Sequence, residues 1–131
     1  MVLVQSIFEK FLANGCGEFA SYFTENVNNI TIVQFHPSYS YEDFVEGIRP
    51  GRDNSTGKAV SGFSIEPGIL KRIVEKCKLR PDQKFLLIID EINRGNIPKI
   101  FGELLYLLEY RDEEILLTYS PEETFSLPGN L

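Results

Sequence analysis

The chain has no tryptophan, one histidine, one methionine and two cysteines among its 131 residues, and each scarcity removes a class of function. Cys16 and Cys77 lie far apart with no CxxC and no Cys/His company, so neither a zinc site nor a disulfide framework is signalled, and a reducing cytoplasm fits best. His36, before Pro37, has no second ligand or base beside it, which favours a hydrogen-bonded structural histidine. No run approaches the roughly eighteen apolar residues that a membrane helix needs. The opening MVLVQSIFEKF carries Glu9 and Lys10 and no small-residue cleavage site, so it reads as neither anchor nor signal peptide. Basic excess is also missing. The net charge is -6, residues 1–65 hold four basic and seven acidic side chains against nine and twelve in residues 66–131, and the basic stretch from Lys71 to Lys84 is broken by Glu75 and Asp82. Direct nucleic-acid binding, which draws on clustered Lys and Arg, is not expected.

A phosphate loop of the form GxxxxGK[ST] is absent as well. Gly51-Arg52-Asp53-Asn54-Ser55-Thr56-Gly57-Lys58-Ala59 comes nearest, but five residues separate its glycines and Ala59 stands where a metal-binding hydroxyl belongs.

What is present is 43% hydrophobic and 12% aromatic, enough for the core of one domain. Val4, Ile7, Phe8, Phe11 and Leu12 follow helical spacing and predict a helix ending near Ala13. Residues 30–35 are short and β-branched, a strand stopped by His36-Pro37. Ser40 is placed to N-cap a short helix three residues before an acid. Residues 49–64 are rich in Gly and Ser, which predicts an exposed, mobile insertion. Ile65, Ile69, Ile73 and Cys77 predict a helix from Ile65 to Lys78. Phe85 to Ile89 is continuously apolar, as in a parallel strand covered by helices on both faces. Ile97, Ile100, Phe101, Leu104, Leu105 and Leu108 predict one long helix, with Pro98 in its first turn and Glu103 and Glu109 on its solvated or subunit-facing side. Residues 115–119 and 124–127 predict a hairpin. Phe35, Tyr39, Tyr41 and Phe44 fit core and loop anchors better than a stacking platform for a base. The order indicates one α/β unit around a mostly parallel sheet.

Asp90 and Glu91 end the apolar strand. In parallel sheets ligands bind beyond the carboxyl ends of the strands, and acids beside a dry strand lose hydration unless something positive compensates, for which hydrated Mg²⁺ carrying nucleotide phosphates is well suited. An Asp in that position can hold the metal while an adjacent Glu orients and deprotonates water. On these residues alone a capping role for Asp90 with a solvated Glu91 stays open, and a metal-dependent phosphoesterase would need further ligands that the sequence does not converge.

LLIIDEINRGNIPKIFGELLYLLE closely resembles the Walker B segment of the McrB-type AAA+ NTPases, the motor subunits of modification-dependent restriction systems, and VQFHPSYSYEDFVEGIRP resembles the stretch preceding it. With the glycine-rich insertion and LLTYS…FSLPGNL, the resemblance covers roughly residues 30 to 131. It implies a partial P-loop NTPase (AAA+) three-layer sandwich with a C-terminal β-hairpin, a single domain over 1–131 corresponding to the Walker B half, without Walker A or sensor 1. It further implies Mg²⁺ with ATP or GTP as cofactor, Asp90 as metal ligand, Glu91 as the catalytic residue activating water, and Asn93 and Arg94 at a neighbouring subunit's nucleotide. The implied partners are the remainder of the module, other AAA+ subunits in a hexameric ring, and a restriction nuclease subunit. With no phosphate loop, no hydrolysis is expected of these residues alone; a non-catalytic fragment docking with a ring is the rival. The strand ending at Asp90 should expose an apolar edge that recruits other chains.

Overall fold

The computed structural model describes residue 9, residues 13–52 and residues 55–131. The helix expected over 4–13 falls almost wholly outside them. The described chain runs α1 (Gly17–Glu25), a 3₁₀ turn (Val27–Asn29), β1 (Ile30–Gln34), α2 (Tyr41–Phe44), β2 (Glu46–Arg52), β3 (Ala59–Pro67), α3 (Ile69–Leu79), β4 (Leu86–Asp90), a second 3₁₀ turn (Ile92–Arg94), α4 (Ile97–Phe101), α5 (Leu104–Glu109), β5 (Ile115–Leu116) and β6 (Thr124–Phe125).

β1 and β4 pair in parallel, Ile30 opposite Leu86 through Gln34 opposite Asp90. Alternation along each strand assigns side chains to two layers. Ile30, Ile32 and Leu86 pack on Ala20 and Phe23 of α1. Val33, Phe35, Leu87 and Ile89 face the larger core with Phe44, Val74, Ile100 and Leu104 from the helices α2 to α5. Helices thus cover both faces, as the unbroken apolar run predicts. All five β4 residues are nevertheless only partly buried, because among the described residues β4 pairs with β1 alone. An apolar groove of about 220 Å³ runs beside it, lined by Phe85, Leu87, Ile89, Leu108 and Leu131 among others.

Polar contacts pin the start of β4. Asn29 Nδ2 donates to Lys84 O and Gln83 Oε1, each at 3.1 Å, and Lys84 N donates to Tyr22 Oη at 2.9 Å. Asn130 Nδ2 lies within hydrogen-bonding distance of three carbonyls, those of Cys77, Arg80 and Gln83, while Phe85 N donates to Asn130 O at 2.7 Å.

Three expectations are corrected. Residues 49–64 are not an irregular insertion: β2 and β3 form an antiparallel pair from Glu46 opposite Pro67 to Arg52 opposite Ala59, with a register shift between Pro50 and Arg52. Phe63 and Ile65 alternating with Gly62, Ser64 and Glu66 carry the period of a strand, which the glycine and serine content masks. The third helix starts at Ile69 rather than Ile65, since Pro67 breaks the pattern and Gly68 forms its N-cap. Gly68 is required by proximity: a Cβ there would lie 2.5 Å from the carbonyl carbon of Phe44. The single long helix is two, α4 and α5, separated where Gly102 adopts φ 51. That left-handed value is unstrained only for glycine, and the apolar spacing carries across the break because the same face stays buried. Ser40 caps α2 as expected, with the reciprocal Ser40–Asp43 capping box, and Pro98 sits in the first turn of α4.

Glu46, unremarked in the sequence, is fully buried. Its Oε2 accepts from Lys71 Nζ at 2.6 Å and Ser120 Oγ at 2.8 Å, while Oε1 has no hydrogen-bond partner. Breaking such a pair strands a buried charge, whereas replacing both members with apolar groups removes the desolvation cost. Lys71→Met is therefore expected to lower unfolding free energy by roughly 3 kcal/mol, and Glu46→Leu/Lys71→Met to recover most of that loss. Urea unfolding of both variants checks it, and a double variant no better than Lys71→Met would refute it.

Candidate functional site

The parallel register brings the carboxyl ends of β1 and β4 together. Phe35 N donates to Asp90 O at 3.0 Å, so the chain leaves both strands at one level. By alternation the Asp90 side chain falls on the α1 face, the same as Leu86. Its Oδ1 accepts from Glu91 N at 3.0 Å. One oxygen thus steadies the turn in the capping role the sequence left open, but in a sheet whose β4 edge is unpaired among the described residues.

Glu91 is exposed and is the only non-glycine with positive φ among the described residues, at φ 54 and ψ 38. A left-handed glutamate costs roughly 1–2 kcal/mol, and such strain concentrates where a side chain must point in a particular direction. It stands at the head of the 3₁₀ turn Ile92–Arg94 without capping it through its side chain, and Arg94 N donates to Glu91 O at 2.9 Å. Asn93 and Arg94 are exposed on that turn. The next helix begins at once: Asn96 caps α4 by accepting from Lys99 N at 3.2 Å. Strand end, turn and helix start therefore display Asp90, Glu91, Asn93 and Arg94 within five consecutive residues.

Among the described residues no three His, Cys, Asp or Glu side chains converge as a metal cage.

Beside the strand ends, the aromatic residues are structural. Phe35 and Phe44 are fully buried and Tyr41 nearly so, with Phe35 stacked on Tyr39 at 4.9 Å and Phe44 at the same distance from Phe101. His36 is exposed and held edge-on to Tyr39 at 5.5 Å, a ring contact instead of the expected hydrogen bond. Glu103 is corrected: it is half-buried rather than solvated, and accepts from the Tyr41 hydroxyl, from Thr118 N at 3.0 Å and from Thr118 Oγ1 at 3.3 Å. Glu42 accepts from Tyr119 Oη at 2.7 Å. These links, with Glu46–Ser120, fasten residues 118–120 to α2, the start of β2 and the head of α5. Sequence reasoning missed them because each joins residues 15 to 77 positions apart. Glu109 is exposed, as expected.

A parallel strand pair between helical layers is an α/β arrangement compatible with the core of a P-loop NTPase. The model of the AAA domain (dynein-related subfamily) matches residues 16–124, and the chain belongs to that family. It is 43% identical over 108 residues, 78% of its length, to the Type IV methyl-directed restriction enzyme EcoKMcrB subunit of Escherichia coli (strain K12). It is 25% identical over 126 residues, 80% of its length, to the Type II restriction enzyme BsuMI component YdiS of Bacillus subtilis (strain 168). The matches span 22% and 37% of those two relatives.

Two expectations follow from this geometry. Glu91→Gly should raise unfolding free energy by about 0.5–1 kcal/mol, since glycine relieves the left-handed strain at some cost in unfolded-state entropy, and thermal unfolding measures it. The pH dependence has two arms. The Tyr119 hydrogen bond, chiefly, holds Glu42 below its ordinary value; burial pulls Asp43 upward, but Ser40 and Arg49 outweigh it and leave that carboxyl lowered too. Their contribution is present above pH about 4 and is lost as pH falls below it. Burial first, then the Glu103 hydrogen bond, raises Tyr41, and the Glu42 hydrogen bond raises Tyr119, so theirs is present below pH about 10 and is lost above it. Stability measured against pH should fall on both sides of a plateau, with Tyr119→Phe shallower on both arms.

Proposed function

We propose that the chain supplies the metal and water side of a nucleoside triphosphatase of the McrB type, with Asp90 as ligand to Mg²⁺ and Glu91 as the residue that orients and deprotonates the attacking water. The observation that carries this reading is the placement of Asp90 at the shared carboxyl end of the parallel pair, opposite Gln34, with Glu91 next to it in a strained left-handed conformation. When bound, the metal, held by Asp90, would neutralise charge on the phosphates of ATP or GTP. The part played by this chain is local. Asp90, steadied through Oδ1 by the Glu91 amide, presents a carboxylate to the cation; Glu91, exposed and directed by its backbone, accepts a proton from water; Asn93 and Arg94, on the exposed turn, reach toward nucleotide held by an adjacent subunit.

Catalysis of this type is positioning and charge neutralisation, and the amides and lysine of a phosphate loop are not in this sequence. The reading therefore assigns turnover to an assembly: the remainder of the module, further AAA+ subunits in a hexameric ring, and a restriction nuclease subunit, the last in keeping with the restriction-enzyme names of the two relatives. Its setting is the cytoplasm; among the described residues no helix is long and apolar enough to cross a membrane. The missing phosphate loop also favours a second reading, a fragment that docks with such a ring without contributing to turnover.

Hydrolysis assays separate the two. The chain alone with Mg²⁺ and ATP or GTP is expected to be inactive; supplied with a segment bearing GxxxxGK[ST], it should become active, and Glu91→Gln should then lower kcat by about 10²–10⁴-fold with nucleotide binding retained. Binding of that segment without turnover would establish the docking reading, and Mg²⁺-dependent hydrolysis by the chain alone, abolished by Glu91→Gln, would overturn the need for it.

A further inference from the structure

β1 is β-branched from Ile30 to Val33 and then ends on a side chain of another kind. Gln34 is the residue in register with Asp90 across the parallel pair. Ile30, Ile32 and Leu86 pack on α1, so Gln34, two residues past Ile32, and Asp90, four past Leu86, project from the same face of the sheet. Paired strands lie about 4.8 Å apart, and an amide carried on two methylenes spans that gap to a carboxylate opposite it.

Both side chains have hydrogen-bonding capacity to spare. Asp90 commits Oδ1 to the Glu91 amide, and among the described residues its Oδ2 has no partner. Gln34 is exposed, and among the described residues its amide makes no hydrogen bond. His36, the next residue of that parity, is engaged edge-on with Tyr39 at 5.5 Å.

Glutamine is chemically suited to this place. Its amide offers two donors and an acceptor and carries no charge. A carboxylate instead would set like charges opposite each other whenever no cation is bound, which destabilises the pair. An apolar residue would leave Asp90 held from one side only, by the Glu91 amide. Groups that orient a metal-ligating carboxylate, without touching the ion, commonly govern its affinity, and losing one costs about 10–100-fold. A hydrated ion such as Mg²⁺ also keeps several waters, which need acceptors around them.

We propose that Gln34 is a positioning residue for the metal site assigned to Asp90: its amide N–H groups orient Asp90 Oδ2, and its carbonyl accepts hydrogen bonds from the hydration shell of the cation. Gln34 acts through Asp90 and touches neither the phosphates nor the attacking water. The proposal rests on the reading of Asp90 as ligand to Mg²⁺ and draws nothing from Glu91.

Mn²⁺ titrated into the chain, followed by nuclear magnetic resonance, tests this without turnover. In the wild type, Mn²⁺ is expected to broaden the backbone amide signals of Gln34, Phe35, Asp90 and Glu91, and Asp90→Asn should abolish that local effect. Gln34→Leu should weaken binding at this place by at least about tenfold. Its thermal midpoint without metal should match the wild type, since the position is exposed. Gln34→Glu should show the opposite pairing: a lower midpoint without metal, from the like charge facing Asp90, and Mn²⁺ binding at least as tight as the wild type, with the midpoint restored by the ion. Should Gln34→Leu take up Mn²⁺ as the wild type does, the proposal is overturned and Asp90 stands as ligand. Should Gln34→Leu lose stability without metal along with its affinity, Gln34 is a structural residue and the proposal is overturned as well. Absence of broadening around Asp90 in the wild-type chain would overturn the reading of Asp90, and this inference with it.

Discussion

Everything else in this molecule is arranged around the parallel pairing of β1 with β4. Parallel strands cannot be joined by a tight turn, so the chain between them must cross over, and here the crossover contains α2, the β2–β3 hairpin and α3. The pairing brings Gln34 and Asp90 to the same level and opens both strand ends toward one side. It also sorts apolar residues by parity, Ile30, Ile32 and Leu86 to α1, and Val33, Leu87 and Ile89 to the core beneath α2 to α5. A shift of one residue would move Asp90 to the opposite layer and invert the whole arrangement.

A second constraint holds the crossover and the C-terminal hairpin together. Tyr41 and Thr118 meet on Glu103, Tyr119 meets Glu42, and Lys71 and Ser120 meet on Glu46. Three carboxylates thus act as junctions between segments that share no regular pairing. Neutral partners at two of them avoid a second buried charge, and the third is offset by Lys71. The unmatched Oε1 of Glu46 shows that this network is satisfied only in part.

How much could be read in advance depends on the range over which each feature is encoded. The β4 run, the Ser40 capping box, Pro98 and the acid pair lie within windows of a few residues, where periodicity and caps speak directly. Family resemblance between two long motifs extended that to the fold class, and the match over residues 16–124 agrees. The β2–β3 hairpin was obscured because Gly, Ser and Pro dilute the alternation of Phe63 and Ile65, and the break at Gly102 because the apolar face continues across it. Glu46 and Glu103 were illegible for a different reason: a carboxylate's burial is decided by Lys71 or by Tyr41 and Thr118, which no local window contains. At the acid pair, residue types were legible, whereas the left-handed backbone of Glu91 was not.

Asn130 draws the amide of a single side chain onto three carbonyls from the tail of α3 and its turn, and its own carbonyl receives Phe85 at the threshold of β4. Such a junction tolerates only a donor. Spontaneous deamidation would leave an anionic acceptor facing three oxygens, so slow chemical ageing at this one position would loosen the entry to the very strand whose far end carries Asp90.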